Sequence, residues 1–477
     1  MLRGSGPNPL AVGGLAVSLA VLVWASPGLL AKTGVMALIS FVAFSWPLPF
    51  LMAALALAAG LDYSLGVNLP VLVQLSGFRV TTTDALVVLV TVIGFVELLR
   101  RREGPVFWKP LALLFVCVSV SWAVGTASGT TDFHRGLNEL RYLEPYALYI
   151  AGVGIVDSRT RLTALKHFCF AAIVLSVVRQ VWEIAGGHAV GETTVEIAYS
   201  RTLVPYVRLA LVEFVLVGAV VAFSLLLSRG FRPVLFVLTA VAIVGIGVQL
   251  SRQWYGFVAV ALLTVVILRK PRKKLQAITI SVLLAGIVAV LVPAVESVIA
   301  PNYGGSVVGV ISSRFGEISE QGLTTQSAMV RILTNQQMWT FFESAPVFGL
   351  GPGQSFEDSR FFFNDVGGMN TLVRFGAVGL AAVLVLVLAV LVRARKTMRQ
   401  GTEDELEAYI AAAFGVLLAF LTGYSFSQDF FTLFPTGTVF AMILIDRATA
   451  FSRPRFLDSA RVRPISGMAA RGPQRVG

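Results

Sequence analysis

Apolar stretches long enough to cross a lipid bilayer recur along this 477-residue chain, and most are closed by a short run of arginine or lysine. A helix spans the hydrocarbon core with about 20 apolar residues, and about 17 suffice. Candidate spans fall near 10–25, 30–45, 47–62, 83–99, 107–124, 142–156, 163–184, 205–228, 233–250, 253–268, 277–299, 372–392, 408–423 and 433–446. The expected fold is therefore all-α: a polytopic transmembrane helical bundle of about 14 spans with one large external loop. Twelve is the alternative count, because the first three stretches are short and Pro47 and Pro49 blur one boundary. The first stretch follows Arg3 as a signal peptide would, but no later loop requires its cleavage, and it reads as a retained helix.

Charge supports a bilayer as the solvent. Only 13% of residues are charged, against about 25% in soluble domains. That excludes an ordinary cytosolic enzyme and a secreted disulfide scaffold. Cys117 and Cys169 both lie inside apolar stretches, and no Cys/His cluster has metal-ligand spacing. The net charge of +12 lies in runs between spans, so it reports topology and gives no reason to expect nucleic acid. The runs are Arg100–Arg102; Arg159, Arg161 and Lys166; Arg229 and Arg232; Arg269–Lys274; Arg393–Arg399; and the tail from Arg447. The spans put all of them on the side of the N-terminus, which the positive-inside rule makes cytoplasmic, with both termini there. Lys32 and Arg79 fall opposite as single charges. The chain divides into a core of spans with short loops (1–299), an external loop (300–371), three C-terminal spans (372–446) and a basic tail (447–477) that is expected to be disordered.

Segments 125–141, 185–204 and 300–371 remain outside. The longest is rich in aromatics, and residues 327–344 set Met329, Ile332, Leu333, Gln336 and Trp339 near one face of an expected amphipathic helix on the membrane. The three segments contain no lysine, yet arginine recurs in them or at the adjoining span ends, at Arg135, Arg141, Arg201, Arg208, Arg252, Arg314, Arg331, Arg360 and Arg374. A guanidinium fork suits phosphate or carboxylate oxygens, although loop carboxylates such as Glu343 and Asp358 offer ordinary ion-pair partners. Arg252 stands in a turn too short to leave the membrane, Arg208 and Glu213 share a span, and Arg179 and Glu183 are spaced i, i+4. Ionisable groups at such depth are functional candidates, with a satisfied buried pair as the structural alternative. Gly349, Gly351 and Gly353 lack the preceding strand and following Lys-Ser/Thr of a nucleotide loop, and read as a tight turn bringing backbone close to something. His134, His167 and His188 have no metal-ligand neighbours.

Three motifs in this order carry a resemblance over about residues 245–385: the turn SRQWYGF between two spans, the external segment RILTNQQMWTFFESAPVFGLGPGQSF, and GGMNTLVRFGAVGL at the start of the next span. They resemble the O-antigen ligase and O-antigen polymerase family, polytopic enzymes of bacterial surface polysaccharide assembly. The resemblance implies a multi-pass protein of the cytoplasmic membrane. It also implies a glycan donor on undecaprenyl pyrophosphate, a hydroxyl-bearing acceptor, and no cofactor or metal. Arg252 and Arg331 match the family's motif positions and would neutralise the departing pyrophosphate. Arg201 and Arg208 would assist binding. One departure stands out: Met369 precedes Asn370 where the family carries histidine. A thioether is no base, so Asp365, Glu213 and, after them, His188 are the expected proton acceptors, with Met369 and Asn370 lining the acceptor site. Two other classes stay open: a transporter of polysaccharide or lipid-linked sugar, and a non-catalytic partner in envelope assembly.

Overall fold

The computed structural model describes residues 39–61, 71–75, 78–185, 209–248, 252–268, 275–276, 278–284, 286, 336–353, 367–424 and 435–452. The expected span 10–25, most of 30–45 and 277–299, the loop segments 300–335 and 354–366, and the tail from 453 lie outside the described residues.

Helices α1 (Ile39–Ser45) and α2 (Pro47–Ala58) meet at 113°. The break falls where Pro47 lacks the N–H that would continue the helix. The expected span over 47–62 is thus half of a bent pair. Two strands follow, β1 (Val71–Leu75) and β2 (Phe78–Thr81), paired antiparallel with Leu75 opposite Phe78. This hairpin departs from the all-α expectation. Its β-branched and aromatic residues flank a two-residue Ser-Gly connection, which is a hairpin signal that a hydropathy reading passes over.

The rest of the described chain is helical. Helix α3 (Thr82–Arg101) opens on a capping box, in which Thr81 and Asp84 each accept the other's backbone N–H. Then come α4 (Trp108–Ala127), the short α5 (Phe133–Leu140) capped by the Asp132 carboxylate, α6 (Glu144–Ile155), α7 (Arg159–Ala185), α8 (Val212–Arg229), α9 (Pro233–Val248) and α10 (Arg252–Leu268). After a helix α11, described over 336–344, come α12 (Gly367–Arg399), α13 (Asp404–Tyr424) and α14 (Pro435–Ser452).

Among the described residues six helices are long and apolar enough to cross a membrane, and the bent pair adds a seventh. Helices α8, α13 and α14 are buried on nearly every face and form the centre with α6. Around them, outer helices expose apolar stripes at helical spacing: Val88, Val92, Phe95 and Leu99 on α3, and Leu384, Val385, Leu388 and Val392 on α12. A bundle that is apolar inside and outside is a membrane protein.

Polar contacts separate the two ends of the bundle. At one end, Arg101 and Arg161 both reach Asp157, at 3.2 and 3.1 Å. Arg159 meets Glu403 at 2.6 Å, while Arg229 and Lys166 share Glu405. Arg447 holds Glu103 at 3.4 Å. Beneath this belt, buried Asp446 accepts the Val106 N–H at 2.9 Å and the Tyr149 hydroxyl. Tyr149 in turn accepts the Phe107 N–H at 3.0 Å. The basic runs at 100–102, 159–166, 229 and 447 are therefore on one side of the molecule, as the span alternation predicts. Cysteine at Gln400, exposed on this side, and at Ser344, exposed on the other, is expected to react with an impermeant thiol reagent from opposite faces of sealed vesicles. Cys117 and Cys169 should first be replaced. Labelling of both positions from one face would overturn the arrangement.

Candidate functional site

The end opposite the belt is organised around a broken helix. Within α12, Gly376 has φ 66° and ψ −170°, a backbone region that is essentially restricted to glycine. The break frees carbonyls on one side and N–H groups on the other, and buried groups of this kind need partners. Residues 345–353, the Gly-x-Gly-x-Gly segment, supply them. Leu350 and Gly351 donate N–H to the Val373 and Arg374 carbonyls at 2.8 and 3.0 Å. Ala377 and Val378 donate to the Pro346 and Val347 carbonyls at 2.9 and 3.2 Å.

The close approach expected of the glycines is thus to the protein itself. Gly353 lies against the backbone of Arg135 and Gly136 on α5, so closely that a Cβ would overlap it. Hydroxyls from α4 and from the segment after it complete the strut. Ser121 Oγ lies 2.5 Å from the Phe348 carbonyl and 2.7 Å from that of Arg374. Thr130 and Thr131 donate to the Leu350 carbonyl at 2.7 and 2.8 Å. Sequence reasoning left Ser121, Thr130 and Thr131 unassigned. Arg374, one of the expected external arginines, approaches Glu139 of α5 at 3.5 Å, in line with the ion-pair alternative.

The last two turns of α13 join the motif-bearing helices. The Tyr424 hydroxyl donates to Thr371 Oγ1 at 2.6 Å and docks the first turn of α12, which carries Met369 and buried Asn370. Phe420 packs edge-on to Phe257 of α10, ring centroids 5.9 Å apart, and Phe257 packs edge-on to Trp254 at 5.2 Å. Arg252 is the first residue of that helix. Gly437 of α14 lies against the Phe420 ring and beside Glu213.

Glu213, in the first turn of α8, is buried. Its Oε2 accepts the Thr436 hydroxyl at 2.6 Å and the Gly437 N–H at 2.5 Å. An orphan donor at the start of α14 is thereby capped from another helix. Glu213 Oε1 takes no hydrogen bond among the described residues. The expected candidates Arg201, Arg208, Arg331 and Asp365 lie outside the described residues. Around Phe420–Tyr424, Phe257 of α10, Thr371 of α12 and Gly437 of α14, which lies beside Glu213, all meet α13, a junction that sequence reasoning missed. Gly423 and Gly437, each pressed on an aromatic ring, were its only signal. The other candidate pair, half-buried Arg179 with Glu183 at 2.6 Å, lies on α7 and has no described contact with this junction.

Because the carboxylate caps a helix, its removal has a structural cost. Glu213→Ala strands a buried N–H and a buried hydroxyl, each worth about 1–3 kcal/mol, and should lower the apparent melting temperature in detergent by several degrees. Glu213→Gln keeps an acceptor oxygen and should melt within a degree or two of wild type. Equal melting of the two variants would contradict the capping role.

No protein-family model matches this chain, and neither does any curated protein.

Proposed function

We propose that this protein is a glycosyltransferase of the O-antigen ligase or polymerase kind, seated in the cytoplasmic membrane with both termini on the cytoplasmic side. It transfers or polymerises a glycan carried on undecaprenyl pyrophosphate, at the face opposite the basic belt. The observation that carries this reading is the junction at the end of α13. There α10 through Phe257, the first turn of α12 through Thr371, and Gly437 beside the Glu213 carboxylate all meet α13 at one end of a lipid-facing bundle.

In the proposed reaction the bond between the anomeric carbon and the pyrophosphate oxygen breaks as an acceptor hydroxyl attacks that carbon. The pyrophosphate leaves with the bond pair on its oxygen, and Arg252 and Arg331 stabilise the charge that develops there. The hydroxyl proton passes to a carboxylate. Glu213 Oε1, free of described hydrogen bonds, supports that role for Glu213. Asp365 is the other acceptor, and Met369 and Asn370 line the acceptor side. Arg201 and Arg208 assist in binding the donor phosphates.

One observation favours a transporter instead. Helices are interrupted at Trp46 and at Gly376, and transporters bind ions at interrupted helices through freed carbonyls. At Gly376, however, the Val373 and Arg374 carbonyls are already taken by the strut, which argues against an ion site there.

Deleting the gene and analysing surface glycan tests the reading. Loss of long chains on the lipid carrier identifies a polymerase, and accumulation of long carrier-linked chains identifies a ligase. Unchanged glycan length and attachment would remove both.

A further inference from the structure

Over the described residues 336–344, helix α11 turns the Trp339 indole outward. The sequence sets Trp339 on the face expected to meet the membrane, and here Met338 is 6% exposed while the Trp339 indole is 48% exposed. Around it Gln336, Gln337, Thr340, Glu343 and Ser344 are also exposed. Helical spacing sets Gln336 and Glu343 beside the indole, three residues before it and four after. Its ring is held in place: Nε1 donates to Glu343 Oε1 at 2.7 Å, and Phe342 packs against it with centroids 5.2 Å apart at 50°. The helix leads directly into the strut at 345–353, whose backbone is fastened to α12 and α4. The indole therefore stands on a fixed mount.

An interfacial anchor helix presents a broad apolar face to lipid. The described residues of α11 present an indole plate rimmed by amide and carboxylate, a face suited to water. The ligand chemistry that matches a plate with a polar rim is a sugar ring. A pyranose offers a patch of weakly positive C–H groups on one face, complementary to the negative face of the indole, and hydroxyls at its edge that both donate and accept.

We propose that Trp339, flanked by Gln336 and Glu343, is a glycan-stacking subsite. A hexopyranose lies on the indole while its hydroxyls bond the Gln336 amide and the Glu343 carboxylate. The choice of a glycan rests on the transferase reading above, whereas the arrangement of the face does not. Located beside the strut, the subsite would hold a sugar of the growing or transferred chain at a distance from the bond that breaks. It would contribute to affinity and chain register without touching the reacting atoms. Because the mount is rigid, little ordering is lost when sugar binds.

The test uses the full-length protein in lipid nanodiscs with maltoheptaose, chitotetraose and mannotetraose as probes. Subtracting the emission of Trp339→Phe isolates one of the seven tryptophans. At least one probe is expected to change that component saturably. Calorimetric affinity for it should fall about tenfold in Trp339→Ala, the scale of one aromatic contact, with a smaller loss in Glu343→Gln. Dibrominated phosphatidylcholine should leave the component unquenched. Quenching by the brominated lipid would identify a membrane anchor and overturn the proposal. So would equal affinity of Trp339→Ala and wild type, or no response to any of the three probes. Binding at Trp339 with unchanged surface glycan in the deletion strain leaves the subsite standing and removes the transferase reading. Altered glycan without binding removes the subsite alone.

Discussion

Gly376→Ala is expected to be among the most damaging single substitutions in this protein, costing roughly 2–6 kcal/mol. Two effects add. The φ 66°, ψ −170° backbone at this position is essentially closed to a residue with a side chain, at about 1–3 kcal/mol. A Cβ would also overlap the Val347 carbonyl, and forcing atoms into a packed site costs about 1–3 kcal/mol more. Relieving the clash means withdrawing the strut, which takes the Leu350 and Gly351 N–H groups from the Val373 and Arg374 carbonyls. Gly401→Ala is the control. Gly401 also has positive φ, 77°, but nothing lies within 4 Å of the Cβ it lacks, so only the backbone penalty of roughly 1–2 kcal/mol applies. Melting in detergent should rank wild type above Gly401→Ala and place Gly376→Ala far below both. If the two variants melt together, the strut is not holding the broken helix.

Arg252→Ala and Arg331→Ala should each lower glycan transfer by about 10²–10³-fold, as removal of one preorganised donor to a developing negative charge does. Both proteins should still be recovered from the membrane in normal amounts. Lysine at either position should restore little, because an ammonium is a point charge and does not reproduce the two-pronged guanidinium. Transfer from a lipid-linked glycan in reconstituted vesicles, normalised to protein, is the measurement. Wild-type rates in either alanine variant would remove that arginine from the proposed site. Paired with the Glu213 variants, the experiment also separates chemistry from architecture. A Glu213→Gln protein that melts normally but transfers slowly would assign Glu213 the proton as well as the cap.

Hydropathy made the long helices legible because a lipid-facing wall leaves its period in the chain: 83–99 is realised as Thr82–Arg101 and 107–124 as Trp108–Ala127. The basic runs were legible for the same reason, and Arg101, Arg159, Arg229 and Arg447 do meet at one end. Hydropathy could not reveal the break in α12, because Gly376 sits inside an apolar run that reads as continuous helix and its φ is a property of what packs on it. The hairpin at 71–81 was hidden similarly, since Val, Leu and Phe count equally as strand or span. Glu213 was found as a buried acid, but its partners Thr436 and Gly437 lie 223 and 224 residues away, beyond any local pattern. Of the helix expected over 327–344 only 336–344 lies among the described residues, so most of its expected apolar face lies outside them.

The contact between Asp446 and the turn after α3 has a consequence for biogenesis. The acceptor that the Val106 N–H needs lies 340 residues downstream, on the last described helix. A ribosome delivers that helix after all the others, at about 5–20 residues per second. Until it arrives, the early turn at 103–107 has neither Asp446 for its amide nor Arg447 for Glu103. Tyr149, which accepts the Phe107 N–H, likewise lacks its own acceptor. Insertion can therefore proceed helix by helix from the N-terminus, while locking of the turn at 103–107 waits for α14. A chain that stops short of Asp446 leaves the Val106 N–H of that turn without its acceptor.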